Sequence, residues 1–235
     1  FPFEDYLLAR RVILMVNLVN HYGFRALRRF CLENRISLVK LARRIIVALE
    51  DPASPWSVIG GVLKNFSAET QSELWDSEVE LVEYYRNNDN YQKLLTGEHG
   101  RNLLQTYQAI AISQAINELV DCTFCNLRLM MGELGCAEKV FIQAEDVHRY
   151  CQGCSSNLFG PDRLEQYDES ELSHDVDFWL HDPGRPLLGA VEWPTPRRFR
   201  FVLSSKQYEI MESLLERFGR TTDGLTKAIL RSAPQ

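Results

Sequence analysis

Two pairs of cysteines have the spacing that comes closest to a chemical signature. Cys122 and Cys125 form one C-x-x-C pattern. Cys151 and Cys154 form another. Four thiolates at about 2.3 Å suit a tetrahedral zinc ion, and a two-residue spacer lets both sulfurs of a pair reach it, so the pattern predicts a zinc site. Two alternatives stay open: cysteines buried as small apolar residues, and a disulfide between Cys151 and Cys154.

A second candidate site lies at the entrance to a long apolar segment. Glu98, Arg101 and Asn102 stand beside Gly97 and Gly100. Free backbone N–H groups at a helix start attract anions, and the glycines allow a ligand to approach closely. We therefore expect Glu98, Arg101 and Asn102 to bind a substrate or an anion at a cleft. The alternative is that these polar groups only fix a loop.

Composition restricts the classes of function. A chain of 235 residues, 45% of them hydrophobic, can bury the core of one large or two small domains. The net charge of −6 and the pI near 5.5 argue against a general nucleic-acid binder. No apolar run approaches the roughly 20 residues of a membrane span, so we expect no membrane partner. Six cysteines without a secretory signal indicate a reducing, cytoplasmic location.

The charges are unevenly distributed along the chain. Residues 1–50 carry nine basic and four acidic side chains, whereas residues 51–100 carry three basic and nine acidic ones. One interpretation is that the arginine-rich N-terminal helices dock near the acidic segment 69–89 within a single fold. The other is a basic platform for RNA or another anionic ligand. No pattern of a hydrolytic triad or of a glycine-rich phosphate loop occurs.

The elements that position these residues are predicted to be mostly helices. Between Gly97 and Met131 apolar residues recur at steps of three and four, which predicts one long, mostly buried central helix. Other predicted helices are Phe3–His21, Phe24–Glu33, Ser37–Leu49, Glu78–Arg86, Ser204–Phe218 and Thr222–Arg231. Alternation around Pro194–Pro196 predicts a small hairpin of Leu187–Trp193 and Arg197–Leu203, and Asp168–His174 is expected to be exposed.

The expected fold class is mainly α, a multi-helix domain around one long central helix, with a small β-hairpin near the C-terminus. We expect residues 1–133 to form a helical core. Residues 134–235 then supply a loop-rich segment, the hairpin and two C-terminal helices, all packed on that core as one structural unit.

Four stretches of the sequence carry a resemblance to a known family. They are Phe3–Tyr6 followed by Arg10 and Arg11, Leu74–Leu81, Gly97–Leu103, and the segment from Arg200 through Tyr208 to Leu225. Together they resemble the C-terminal region of cobalamin-binding radical S-adenosylmethionine enzymes. The likeness extends over most of the chain, with gaps around residues 132–170.

This resemblance implies a parent enzyme that uses S-adenosylmethionine, cobalamin and a four-iron four-sulfur cluster. Its N-terminal catalytic and cobalamin domains, in the same polypeptide, would be the partners of this region. The family's cluster motif, C-x3-C-x2-C, is absent from this chain, so no catalytic residue is carried over and the chain is expected to be inactive alone. Two alternatives remain: a stand-alone interaction module stabilised by zinc, and an RNA-binding protein that uses the N-terminal arginines.

Overall fold

The computed structural model describes residues 2–75, 77–96, 99–100, 102–155, 168–201 and 205–232. Over these residues the fold is mainly helical with one pair of β-strands towards the C-terminus, so the predicted fold class is confirmed. The α-helices, in chain order, are α1 (Phe3–Val19), α2 (Arg25–Glu33), α3 (Leu38–Glu50), α4 (Ser57–Ser72), α5 (Glu78–Arg86), α6 (Asn88–Leu95), α7 (Leu103–Gln114), α8 (Ile116–Glu133), α9 (Glu138–Ser155), α10 (Val176–His181), α11 (Ser205–Phe218) and α12 (Thr222–Ser232). The other elements are the 3-10 helices Tyr22–Phe24 and Leu188–Ala190 and the strands β1 (Asp168–His174) and β2 (Glu192–Phe201).

Side-chain caps fix where several helices begin. The Ser77 hydroxyl accepts a hydrogen bond from the Glu80 amide over 3.3 Å, and α5 begins directly after Ser77, as the sequence predicts. A distant residue caps α4, because the carboxylate of Glu118 accepts from the amides of Val58 and Ile59 at 2.9 and 3.1 Å. This contact joins the start of α4 to α8.

The predicted single helix from Gly97 to Met131 is wrong in detail. The structure divides it into α7 and α8 at Ala115, whose backbone angles of φ −136° and ψ 16° lie outside the helical region. Neither proline nor glycine marks this break. Both halves contact α4, but α7 also packs on α12 and α1 whereas α8 packs mainly on α9 and α3, so tertiary packing accounts for the break.

The core lies between α1, α2, α3, α4 and the α7–α9 segment, and α9 contacts β2 closely at one glycine. Phe30, Phe66 and Phe124 are fully buried in it. A Cβ added at Gly153 would lie 2.3 Å from the Phe201 ring. Gly153 therefore has a packing role inside the second C-x-x-C pattern, since any larger residue would push α9 away from β2.

The two strands form an antiparallel pair with different partners from those predicted. Residues Asp168–His174, expected to be exposed, are β1. The predicted strand Arg197–Leu203 lies in β2 as far as Phe201, whereas only Glu192 and Trp193 of the predicted strand Leu187–Trp193 lie in it, and Leu188–Ala190 form a 3-10 helix. Glu169 lies opposite Arg200 and Glu171 opposite Arg198 in the register. Opposite charges across a strand pair stabilise it, which explains why an acidic segment forms a strand here. Leu203 lies outside the described residues.

Helices α5 and α6 are joined at Asn87 and have their main contacts with each other; residues 78–95 are called the α5–α6 hairpin below. Neither helix has a buried residue. The arginine-rich helices α1 and α3 contact α4, which carries residues 69–72 of the acidic segment 69–89. Two of their arginines pair elsewhere, Arg11 with Glu50 and Arg44 with Glu133, so docking near the acidic segment stays a prediction. The division of the chain at residue 133 stays a prediction.

Candidate functional site

A polar pocket lies where the end of α1 meets the start of α7. Its volume is about 310 Å³. Five of the six residues that line it carry carboxamide side chains, and we call it the carboxamide pocket: Asn17, Asn20, Asn102, Leu104, Gln105 and Gln108. The structure thus places Asn102, one of the predicted site residues, in the wall of a cleft.

Asn102 is held in place by the helix that it begins. Its side-chain oxygen accepts a hydrogen bond from the Gln105 amide over 3.3 Å, the usual arrangement of an N-cap residue. The start of α7 carries partial positive charge from the helix dipole, so an electron-rich oxygen of a ligand would be favoured there.

The chemistry of this pocket is limited to binding and orientation. Each carboxamide offers one acceptor oxygen and two donor hydrogens, so several of them can match the donors and acceptors of a polar ligand. None of the lining side chains titrates near neutral pH, and the pocket itself therefore supplies neither a general acid nor a general base.

The other two predicted site residues, Glu98 and Arg101, lie outside the described residues. Between them, the His99 amide donates to the Lys93 carbonyl over 3.0 Å, and Gly100 adopts a left-handed conformation with φ 71°. The His99 ring lies 6.1 Å from the Tyr84 ring, so this histidine belongs to the α5–α6 hairpin rather than to the carboxamide pocket. Ligand binding by Glu98, Arg101 and Asn102 stays a prediction.

Sequence analysis missed one cationic group on the same helix as Asn17. Arg10 precedes Asn17 by seven residues, which places it on the same face of α1 and two turns, roughly 10 Å, away. Its guanidinium carbon lies 5.7 Å from the centre of the Phe66 ring. Its Nε is buried without a hydrogen-bond partner among the described residues. A buried donor without a partner marks a candidate binding residue, and only the structure can show it, because the spacing of residues along the sequence does not reveal which donors are paired.

The predicted zinc site has no support in the structure. Although Cys122, Cys125, Cys151 and Cys154 are all described, no group of three or more histidine, cysteine or acidic side chains in the described chain is placed to hold a metal. Burial raises the pKa of Cys122 to about 12 and that of Cys154 to about 11, and it also raises the pKa of Cys151. A thiol that stays protonated packs as a small apolar residue. A metal ion would instead need the thiolate. The zinc site stays a prediction.

Helix α9 carries a buried acid that sequence analysis did not single out. One carboxylate oxygen of Asp146 accepts hydrogen bonds from the amides of Ser173 and His174, both over 2.9 Å, and lies 2.7 Å from Nδ1 of His174. The strand pairing is irregular between Leu172 and His174, and Asp146 accepts from the amides at this irregularity. The pair is almost fully buried and is not among the residues that line the carboxamide pocket; its contacts join α9 to β1.

Four of the eight arginines in residues 1–50 that RNA binding would use form hydrogen bonds or ion pairs in the described structure: Arg11, Arg28, Arg29 and Arg44. Arg28 donates to the carbonyls of Val19 and His21 over 3.0 and 2.8 Å. Arg29 donates to the Pro186 carbonyl over 3.0 Å and lies over the Trp179 ring. With Arg11 and Arg44 paired to acids as described above, the RNA-binding alternative gains no support.

No protein-family model matches the chain, and neither a curated protein nor a solved structure gives a match. The resemblance to cobalamin-binding radical S-adenosylmethionine enzymes therefore stays a prediction. Among the described helices, none is long and apolar enough to cross a membrane.

Proposed function

We propose that this chain is an accessory C-terminal domain of a cobalamin-binding radical S-adenosylmethionine enzyme, inactive alone and located in the cytoplasm. In this role the carboxamide pocket faces the parent's active-site cleft and orients a polar part of the substrate. The observation that supports the proposal is the uncharged lining of this pocket. It suits binding and orientation, whereas the reaction takes place on cofactors held by the parent's other domains.

The side chains of this region do not fit the parent's iron–sulfur cluster. A cluster needs cysteine thiolates at a fixed spacing, and here the C-x3-C-x2-C motif is absent. The cysteines of the two pairs are half-buried or buried, and burial raises the pKa of Cys122, Cys151 and Cys154. The proposal therefore assigns the cluster, cobalamin and S-adenosylmethionine to the N-terminal catalytic and cobalamin domains. All six thiols are free, which agrees with a reducing cytoplasm.

The complete reading frame provides the first test. It is expected to encode a C-x3-C-x2-C motif and a cobalamin domain ahead of Phe1. Expressed alone, the chain is expected neither to develop cluster absorbance when iron and sulfide are supplied anaerobically nor to cleave S-adenosylmethionine. A reading frame without the motif, or turnover by the isolated chain, would contradict the proposal.

Substitutions in the parent enzyme test the role of the pocket itself. Asn17→Leu combined with Gln108→Leu removes two carboxamides without introducing charge. The loss of about 1.4 kcal/mol of hydrogen bonding should raise KM roughly tenfold while kcat changes little. Asn65→Leu, on an exposed position of α4, is the matched control and should leave KM unchanged. Equal effects of the pocket and control substitutions would show that the pocket does not contact substrate.

A further inference from the structure

The α5–α6 hairpin is too short and too exposed to be explained by its own packing. Its helices have nine and eight residues, and neither contains a buried residue. Isolated helices shorter than about 12–15 residues are marginally stable in water, because nucleation is costly and packing normally supplies the stability. A surface that covers the hairpin would supply it.

The hairpin does have a small cluster of aromatic rings. The ring centres of Trp75 and Tyr84 are 4.7 Å apart, and those of Tyr84 and Tyr85 are 5.2 Å apart. His99 lies against both tyrosines. All four residues are half-buried, so this cluster holds α5 to its flanking segments while part of each residue remains exposed. Exposed aromatic rings attract cationic side chains.

The outer surface of the hairpin combines apolar and acidic side chains. Five of its large hydrophobic residues, and Leu74 shortly before it, are each at least 40% exposed: Leu74, Val79, Val82, Tyr91, Leu94 and Leu95. Residues 73–95 carry six acidic side chains and two basic ones. In the described structure the carboxylates of Glu78, Glu80 and Glu83 take part in no ion pair. Exposed apolar groups among unpaired acids mark a surface for association rather than for solvent.

The charge decides what kind of molecule fits. An acidic surface repels nucleic acid and anionic lipid, so neither is the partner. We infer that the α5–α6 hairpin docks a basic, apolar polypeptide segment, in which leucine-like side chains cover the exposed valines and leucines while lysines or arginines pair with Glu78, Glu80 and Glu83. Charge complementarity sets the orientation and the rate of association, and the apolar contact supplies most of the affinity. The hairpin shares no residue with the carboxamide pocket, so this docking is independent of the proposed function.

Two synthetic peptides of 14 residues serve as probes. One places leucine and lysine with helical periodicity, and the other has glutamate in place of every lysine. Fluorescence anisotropy with the whole chain should show binding of the lysine peptide and none of the glutamate peptide. Binding should weaken between 0.05 and 0.5 M salt, since salt screens exposed charges. Hydrogen exchange should show new protection within residues 78–95.

Two variants and a matched control locate the binding. Glu80→Lys with Glu83→Lys reverses the charge, and Val79→Ser with Val82→Ser removes the apolar contact; each should raise the Kd at least tenfold. Leu32→Ser with Glu138→Lys changes an exposed leucine and an exposed acid elsewhere and should alter it less than twofold. All six positions are exposed, so the melting temperature of each variant should stay close to that of the unsubstituted chain.

Three results would overturn the inference. The control variant could weaken binding as much as the hairpin variants do, or exchange protection could fall outside residues 78–95. The free chain could also self-associate in a concentration-dependent manner that either hairpin variant abolishes, which would make a second copy the occupant instead.

Discussion

Helix α9 and the α5–α6 hairpin are both polar, amphipathic segments, but the fold uses them in opposite ways. Helix α9 is packed against α2, α8, β1 and the Tyr22–Phe24 turn, and its polar residues Asp146 and His148 are buried. The hairpin, with no buried residue, presents apolar side chains to solvent. Amphipathicity thus predicts that a helix has a partner, but not whether this partner belongs to the same domain.

The largest loss of unfolding free energy is expected when the buried acid of α9, Asp146, is replaced. Asp146→Ala removes the acceptor of three polar contacts and leaves the partly buried Ser173 amide and the buried amide and ring of His174 without this partner. Breaking a buried pair of this kind costs about 3–5 kcal/mol. Urea unfolding of the variant and the parent chain gives this value.

The neighbouring acid provides the control for this measurement. Glu145 lies one residue away on α9 and pairs with Arg128 and Arg149 at the surface. Exposed ion pairs contribute at most about 1 kcal/mol, so Glu145→Ala should have a small effect. If the two variants unfold at the same urea concentration, Asp146 does not hold β1 to α9.

The next largest loss of unfolding free energy is expected in the core beside α9. Two residues that the sequence predicts to be equally buried on one helix should differ there. Leu119 is fully buried on α8, and Leu119→Ala should cost about 2–5 kcal/mol. Ile110 on α7 is only half-buried and should cost clearly less when replaced by alanine. Equal losses in urea unfolding would show that the break at Ala115 does not change which face of the segment is inside.

The sequence predicts what depends on neighbours along the chain. The helix that begins after Ser77 was predicted correctly because a cap acts within three residues, whereas the central helix was predicted from Gly97 and begins only after its cap Asn102. The break at Ala115 was not predicted, because it depends on contacts with α12 and α9, which are far apart in sequence. Of the residues that line the carboxamide pocket, the sequence singled out Asn102 but not Asn17 on α1, because a helical asparagine carries no signal until another helix packs beside it. The same holds for Asp146, whose partners lie 27 and 28 residues away.

Strand β1 was missed for a different reason. Its acidic residues have low strand propensity, which predicts an exposed segment. The arginines of β2 stand opposite them and reverse this preference, but the pairing spans the 17 residues between the two strands. Local composition cannot contain that information.

Protonation of His21 should lower the stability of the packing around α9 and leave the α5–α6 hairpin unaffected. Burial, and then the charge of Arg28, lower the pKa of His21 from 6.5 to about 4. His21 precedes the turn in which Gly23 packs against Ser155 of α9. The unfolded chain therefore binds the proton more readily than the folded one, and stability is lost as the pH falls from 6.5 towards 4. The loss between pH 7 and pH 5 should be about 2 kcal/mol.

A substitution of His21 isolates this contribution. The His21→Asn variant keeps an acceptor for the Gly23 amide but does not titrate, so it should lose less stability between pH 7 and pH 5. Burial also lowers the pKa of His148, so part of the pH dependence should remain. The exposed His181 is the control, and His181→Asn should follow the parent chain. Identical curves for His21→Asn and the parent chain would show that His21 is accessible to protons when folded.

The smallest effect is expected at the hairpin, and a matched pair of valines measures it. Val79 on α5 is 68% exposed and Val147 on α9 is fully buried. Val147→Ala should cost roughly 2 kcal/mol, because burying a valine side chain contributes that much, whereas Val79→Ala should change the unfolding free energy by less than about 0.5 kcal/mol. Hydrogen exchange of the parent chain should also be faster throughout residues 78–95 than in α9, since amides in helices with few buried contacts open locally. A loss above about 1 kcal/mol for Val79→Ala, or slow exchange in the hairpin, would mean that the isolated chain already covers this surface, and the contrast with α9 would disappear.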